Sequence, residues 1–192
     1  GTHGYELWQT NGETSGTFLV SDLNPGSSGS FPSWLRSWDG SLYFAASSAT
    51  DGRELWKSDG TAGGTAVLKN INPSNADASP DGFIVAGENL FFRADDGANG
   101  PELWKTNGTS VGTVLVQDIN PTANTGSDAY YLTASNGLLY FTADDGTHGV
   151  ELWRSDGTNA GTFLLNDIVS GGGSGSVNEL TDVDGLMYFQ AV

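Results

Sequence analysis

Short apolar segments alternate with turns rich in Gly, Asn and Asp along the whole chain, and no segment has the 3.6-residue periodicity of an amphipathic helix. Residues 121–168 show the pattern most clearly, with four strand signals at 130–134, 138–143, 151–154 and 162–166. We name strands in these four positions a, b, c and d. Asn-Gly or Asp-Gly pairs between a and b favour tight two-residue hairpins. The pattern predicts an all-β fold of antiparallel hairpins.

The pattern repeats, because the triplet Glu-Leu-Trp occurs four times with its tryptophans 48, 48 and 49 residues apart. These tryptophans are Trp8, Trp56, Trp104 and Trp153. An Asn-Gly or Asp-Gly turn, a Gly-Thr pair and an apolar strand follow each triplet, and an aromatic run lies in each strand b. Four short strands repeated every 40 to 50 residues or so are typical of β-propeller blades. The tryptophans and the aromatic runs are expected to pack between neighbouring blades.

The repeat predicts a single domain over residues 1–192, a β-propeller of four blades with four antiparallel strands in each blade. The blades are expected at residues 25–72, 73–120, 121–168, and 169–192 joined with 1–24. Because the chain begins at a strand c and ends after a strand b, both termini would close the last blade and protect its edges. The alternative is a four-unit segment of a longer propeller or array, since the join between the ends is one residue shorter than the internal copies.

The net charge of the chain limits the kinds of molecule that it is expected to bind. The chain carries 23 acidic and 7 basic residues, a net charge of −16, which repels phosphate backbones and anionic lipids. Nucleic-acid binding is therefore not expected. No apolar run is long enough to predict membrane insertion. The absence of cysteine excludes disulfides, thiolate zinc sites and cysteine nucleophiles within these 192 residues.

Acidic clusters in the loops between strands b and c are candidate calcium ligands. They are Asp95, Asp96, Asp144 and Asp145. Clustered carboxylates are the hard oxygen ligands that calcium selects, and an ion would relieve the repulsion between them. The alternative interpretation is that these aspartates only shape the loops by accepting hydrogen bonds from their own backbone. The first unit has Ser47-Ser48-Ala49 at this place, so the four units do not share one metal site.

The start of strand a is where the copies differ most. Its first residue is Ser33, Asp81, Tyr130 or Asn178, and its second is Trp34, Gly82, Tyr131 or Glu179. Strand a is innermost in a propeller, so Trp34, Tyr130 and Tyr131 are expected at the mouth of the central channel. Such rings can stack on a sugar or hold a peptide. The alternative is that they plug a narrow channel, and for Trp38 we favour packing in the core.

Catalysis is not expected from this sequence. His3 and His148 occupy the same repeat position in different units, so a histidine-based triad or a three-histidine metal site is not available. Every pair of carboxylates lies in a repeated turn, which makes glycoside hydrolysis the least favoured hypothesis.

The segments ELWKSDGT at 54–61 and ELWRSDGT at 151–158 resemble the bacterial ELWxxDGT repeat proteins, also called hyalin-like. The other two copies have Asn11 and Asn107 in place of the motif's aspartate. The resemblance implies a secreted or surface-displayed bacterial protein without enzymatic activity. The leading hypothesis is a non-catalytic extracellular structural or adhesive module that contacts proteins or polysaccharides at the cell surface or associates with itself. The alternative is a carbohydrate-binding, lectin-like propeller.

Overall fold

The structure is a computed structural model that describes residues 2–73 and 75–192. Within them it contains sixteen β-strands, one 3₁₀ turn at Thr14–Gly16 and no α-helix, which confirms the all-β prediction. In chain order the strands are β1 (Leu7–Gln9), β2 (Phe18–Ser21), β3 (Ser33–Trp38), β4 (Ser41–Ser48), β5 (Gly52–Ser58), β6 (Ala66–Lys69), β7 (Asp81–Ala86), β8 (Asn89–Asp95), β9 (Pro101–Thr106), β10 (Val114–Leu115), β11 (Tyr130–Ser135), β12 (Leu138–Asp144), β13 (Val150–Ser155), β14 (Phe163–Asn166), β15 (Asn178–Val183) and β16 (Leu186–Gln190). Among the described residues, no helix has the length and apolar character needed to cross a membrane.

Three sheets contain four antiparallel strands each, and in every one the spatial order of the strands follows the chain. The first sheet is β3 to β6, the second β7 to β10 and the third β11 to β14. The predicted order a, b, c, d is therefore confirmed for these sheets. An N-terminal pair, β1 with β2, and a C-terminal pair, β15 with β16, form two-stranded sheets. The closing of one blade by both pairs stays a prediction.

Two-residue hairpins join strands a and b, as the turn dipeptides predict. In the third sheet Asn136 and Gly137 have positive φ angles of 49° and 77° and lie between the paired residues Ser135 and Leu138. The second sheet has Gly-Glu at this place, and there only the glycine has a positive φ. That hairpin therefore uses a different turn, which follows from its different sequence.

Side-chain hydrogen bonds explain the Asp-Gly-Thr part of the motif, which forms the turn between strands c and d. Asp59 Oδ1 accepts hydrogen bonds from the backbone N–H of Thr61 at 2.8 Å and from its hydroxyl at 2.7 Å. Asn107 Oδ1 accepts from the same two groups of Thr109. A Cβ on Gly64 would lie 2.1 Å from Asp59 Oδ1, so the repeat needs glycine there. The first position of the turn therefore accepts either Asp or Asn. The position five residues later, Gly64 in this copy, accepts only glycine.

The chain divides into two compact units, Gly1–Pro80 and Asp81–Val192, and each is described by itself. In the second unit, the second and third sheets share one buried cluster of side chains. The second sheet contributes Phe91 and Leu103, and the third contributes Phe141 and Trp153. The tryptophan of one sheet therefore packs towards the triplet leucine of the preceding sheet.

The first unit follows the same rule. Leu7 and Val20 of the N-terminal pair lie in one buried cluster with Phe44 and Trp56 of the first sheet. Phe44 pairs with Trp56 across strands β4 and β5, and their ring centroids are 6.3 Å apart. We call the side of a sheet that bears the triplet leucine its Leu face, and the opposite side its Trp face. Within each unit, the Leu face of one sheet packs on the Trp face of the next.

Candidate ligand-binding site

A β-bulge interrupts the first strand of each four-stranded sheet and of the C-terminal pair. The second residue of the strand lies in this bulge and has a positive φ in all four copies. The residues are Trp34 at 56°, Gly82 at 68°, Tyr131 at 53° and Glu179 at 56°. Glycine adopts such angles freely, whereas tryptophan and tyrosine rarely do. The fold thus holds large side chains in an uncommon backbone conformation at this position.

The glutamate of each triplet fixes the loop that leads into the bulge. Glu102 is buried, and its Oε1 accepts a hydrogen bond from the backbone N–H of Asn120 at 3.0 Å. Its Oε2 accepts the hydroxyl proton of Ser127 at 2.5 Å. One residue later, the backbone N–H of Asp128 donates to the carbonyl of Pro101. These contacts tie the segment before strand a to strand c of the preceding sheet.

Burial perturbs these carboxyl groups. It raises the pKa of Glu54 to about 7, although hydrogen bonds from the backbone N–H groups of Ile71 and Asn72 oppose the shift. Burial raises the pKa of Glu102 in the same way. In the sequence, this glutamate is distinguished only as part of the repeated triplet. A carboxylate recurring inside an apolar triplet was the signal that could have identified it as a buried anchor for the loop.

Two of the three candidate aromatic residues present open ring surface. Trp34 is 57% exposed and Tyr131 is 59% exposed, and both lie at the bulge. Trp38, for which core packing was favoured, is half-buried and lies 5.4 Å from the buried ring of Tyr43, measured between centroids. The bulge therefore directs Trp34 and Tyr131 away from the core.

Tyr130 has a different environment, because the guanidinium of Arg93 lies over its ring at 4.1 Å from the centroid. Arg93 also donates to the phenolic oxygen of Tyr130 and to both carboxylate oxygens of Asp81, at 3.1 and 2.6 Å. Asp128 accepts a further hydrogen bond from Arg93 at 3.1 Å. Burial lowers the pKa of Arg93, but the hydrogen bonds and charge of Asp81 outweigh it and leave that pKa raised. Tyr130 thus belongs to a polar cluster that covers one of its ring faces.

In the second unit the bulge positions lie on neighbouring strands, because β11 contacts both β7 and β15. Gly82, Tyr131 and Glu179 therefore lie on adjacent strands. The strand with the glycine is on one side of the strand with the tyrosine, and the strand with the glutamate is on the other. Trp34 occupies the equivalent position in the first unit and is described there alone.

The acidic loops contain turns stabilised by the aspartates themselves. Asp96 Oδ1 accepts the backbone N–H groups of residues 98 and 99 at 2.9 and 2.8 Å. Asp145 Oδ1 accepts the two equivalent N–H groups, and its Oδ2 is 2.7 Å from Nδ1 of His148. Asp95 and Asp144 each accept the N–H two residues later. Burial raises the pKa of Asp96 and Asp145, but these hydrogen bonds outweigh it and lower both values.

Among residues 2–73 and 75–192, no group of three or more His, Asp or Glu side chains is arranged to hold a metal ion. The hydrogen bonds account for the aspartates as turn-forming residues. Calcium binding at Asp95, Asp96, Asp144 and Asp145 stays a prediction, and its test is a solution measurement.

A groove of about 600 Å³ in the first unit was not anticipated from the sequence. Its lining includes the side chains of Tyr5, Trp8, Phe31 and Leu35, and the ring centroids of Tyr5 and Phe31 are 5.4 Å apart. The lining includes Leu7 and Trp8 of β1 and no residue of β2. Because Trp8 occupies the same repeat position as the buried tryptophans, its local sequence carries no signal that it would be exposed.

Comparison with models of known protein families and with curated proteins finds no match for this chain. The resemblance to the ELWxxDGT repeat proteins therefore rests on the motif and stays a prediction.

Proposed function

We propose that this chain is a non-catalytic interaction module with a propeller fold, and that the bulge position of each strand a presents its contact residues. In this proposal the three four-stranded sheets are blades, and the N-terminal and C-terminal pairs are half-blades. The packing of Leu faces on Trp faces and the adjacency of the first strands in the second unit support the propeller.

One observation carries the functional part of the proposal. The backbone at the bulge is nearly the same in all four copies, with φ between 53° and 68°, whereas the side chains are Trp, Gly, Tyr and Glu. A position needed only for folding would favour glycine at such an angle. Trp34 and Tyr131 instead combine an uncommon backbone conformation with high exposure. Strain of this kind at an exposed aromatic residue is typical of binding sites.

The chemistry of these residues favours one class of partner. Exposed indole and phenol rings supply flat apolar surface with a polar edge, which suits stacking on sugar rings. The net charge of −16 disfavours polyanions. A neutral polysaccharide at the cell surface therefore fits better than an acidic one, and a protein partner would need a neutral or basic surface. Extracellular localisation on a bacterium is proposed from the motif resemblance alone.

The test replaces the aromatic residues with the glycine that the second copy has naturally. Trp34→Gly and Tyr131→Gly relieve the positive φ, so both variants should keep or raise the melting temperature. If these rings bind the partner, both variants should lose retention on neutral polysaccharide gels and signal on a glycan array, by about tenfold or more in affinity for a stacking ring.

Phe163→Ala is the matched control, because Phe163 is an exposed aromatic residue on strand d of the same sheet as Tyr131. It should leave binding unchanged. Equal retention of the parent chain, both glycine variants and the control would show that the bulge residues do not form the contact surface.

A further inference from the structure

Tyr131 and Glu179 occupy the same bulge position on neighbouring strands, β11 and β15, which contact each other within the second unit. The same hydrogen bond holds both bulges. The hydroxyl of Thr133 donates to the carbonyl of Tyr131 at 3.0 Å, and the hydroxyl of Thr181 donates to the carbonyl of Glu179 at 3.2 Å. Their φ angles, 53° and 56°, are also nearly equal. The two side chains therefore leave adjoining strands at equivalent points.

Both side chains are available to a ligand. Tyr131 is 59% exposed, and Glu179 is exposed as well. Within residues 2–73 and 75–192, neither the hydroxyl of Tyr131 nor the carboxylate of Glu179 takes part in a hydrogen bond or an ion pair. Tyr130, the preceding residue, differs in this respect because Arg93 covers its ring.

The bulge on the other side of β11 leaves room beside the tyrosine. Its residue is Gly82 of β7, a strand that also contacts β11. A Cβ on Gly82 would lie 3.9 Å from the side chain of Leu132, so this leucine is the nearest side chain to the glycine. A flat ligand on this side of Tyr131 therefore meets no side chain from the bulge of β7.

The charges near these bulges favour a cationic ligand. Asp81 and Asp128 both form ion pairs with Arg93, at 2.6 and 3.1 Å, so two carboxylates share one guanidinium. Glu179 adds a third carboxylate. The net charge of the whole chain, −16, has the same sign. Local and overall charge thus attract a positive group, and the face of an exposed tyrosine ring attracts one too.

We propose that this site binds a polysaccharide with free amino groups, such as a polymer of glucosamine. A sugar ring stacks on Tyr131, and its ammonium group forms an ion pair with Glu179. This inference rests on the proposed function, because it uses the same bulge residue, and it adds the charge of the ligand. A sugar with a free amine binds more tightly than the same sugar with its amine acetylated, because acetylation removes the positive charge.

Isothermal titration calorimetry with two short oligosaccharides tests this preference. The ligands are the tetramers of glucosamine and of N-acetylglucosamine, at mildly acidic pH, where the free amine carries its proton. Short ligands limit the general attraction between a long polycation and a chain of charge −16. We expect the parent chain to bind the glucosamine tetramer more tightly, by about threefold to tenfold. Glu179→Gln should remove this preference and leave the affinity for the acetylated tetramer unchanged.

Glu88→Gln is the matched control, because Glu88 is an exposed acid in the hairpin between β7 and β8, at the far end of strand a from the bulge. It removes the same charge and should leave the preference intact. Tyr131→Gly should weaken the binding of both tetramers, since both stack on the ring.

Three outcomes would overturn the inference. Equal affinity of the parent chain for the two tetramers would exclude the ammonium site and leave the proposed function standing. Equal loss of the preference in Glu179→Gln and Glu88→Gln would assign it to the net charge of the chain. Binding of neither tetramer would exclude this ligand, while retention on neutral polysaccharide gels decides the proposed function separately.

Discussion

Removing one buried tryptophan of the repeat should destabilise the fold much more than removing the exposed one. A tryptophan buries about 150 to 250 Å² of surface, which at about 25 cal/mol per Å² corresponds to roughly 4 to 6 kcal/mol. Trp104 is 7% exposed, and its Nε1 has no hydrogen-bond partner among the described residues. Trp104→Ala therefore loses packing alone. We expect a decrease of about 3 to 5 kcal/mol in the free energy of unfolding.

Trp8→Ala is the matched control, because it deletes the same side chain at the same repeat position. Trp8 is 58% exposed, so less than half of its surface is removed from water and the expected loss is about 2 kcal/mol or less. Urea titration followed by circular dichroism gives both values. Equal losses for the two variants, or a loss below about 1 kcal/mol for Trp104→Ala, would refute burial as the reason for the repeated tryptophan.

Three further predictions concern pH, calcium and backbone strain. Burial raises the pKa of Glu54 from 4.5 to about 7, so the folded state holds this proton more tightly than the unfolded state. The contribution of Glu54 to stability should thus fall as the pH rises through this window, and Glu54→Gln should flatten the dependence in urea titrations at pH 5 and pH 7.5. Millimolar calcium should raise the melting temperature and chelator should lower it if Asp144 and Asp145 bind the ion, and indifference to chelator would leave them as turn formers. Gly100→Ala should lower stability by about 1 to 3 kcal/mol, since φ is 75° and the new Cβ would meet a backbone nitrogen at 2.6 Å, whereas Gly12→Ala, with no atom within 4 Å, should cost less in the same titration.

The repeat shows how much of the fold is encoded locally. The order of strands within each sheet and the position of the hairpins could be predicted, because they depend on alternating apolar residues and on turn dipeptides such as Asn136-Gly137. The exchange of Asp59 for Asn107 also has a local cause, since both side chains accept the same hydrogen bonds. Of the candidate site, the sequence identified Trp34 and Tyr131 through their variation between copies. It did not show that they lie in a bulge at positive φ.

The remaining features depend on contacts between sheets, which no local pattern encodes. Trp8 and Trp104 have the same motif around them, yet one is exposed and the other buried, because burial requires the face of a neighbouring sheet. One face of the Tyr130 ring is covered by Arg93, which lies on another sheet. Glu54 can be buried because the backbone N–H of Ile71, 17 residues later in the chain, donates a hydrogen bond to its carboxylate. The sequence alone determined the repeated unit, and the tertiary structure decided which copies of its side chains are covered and which are free to bind.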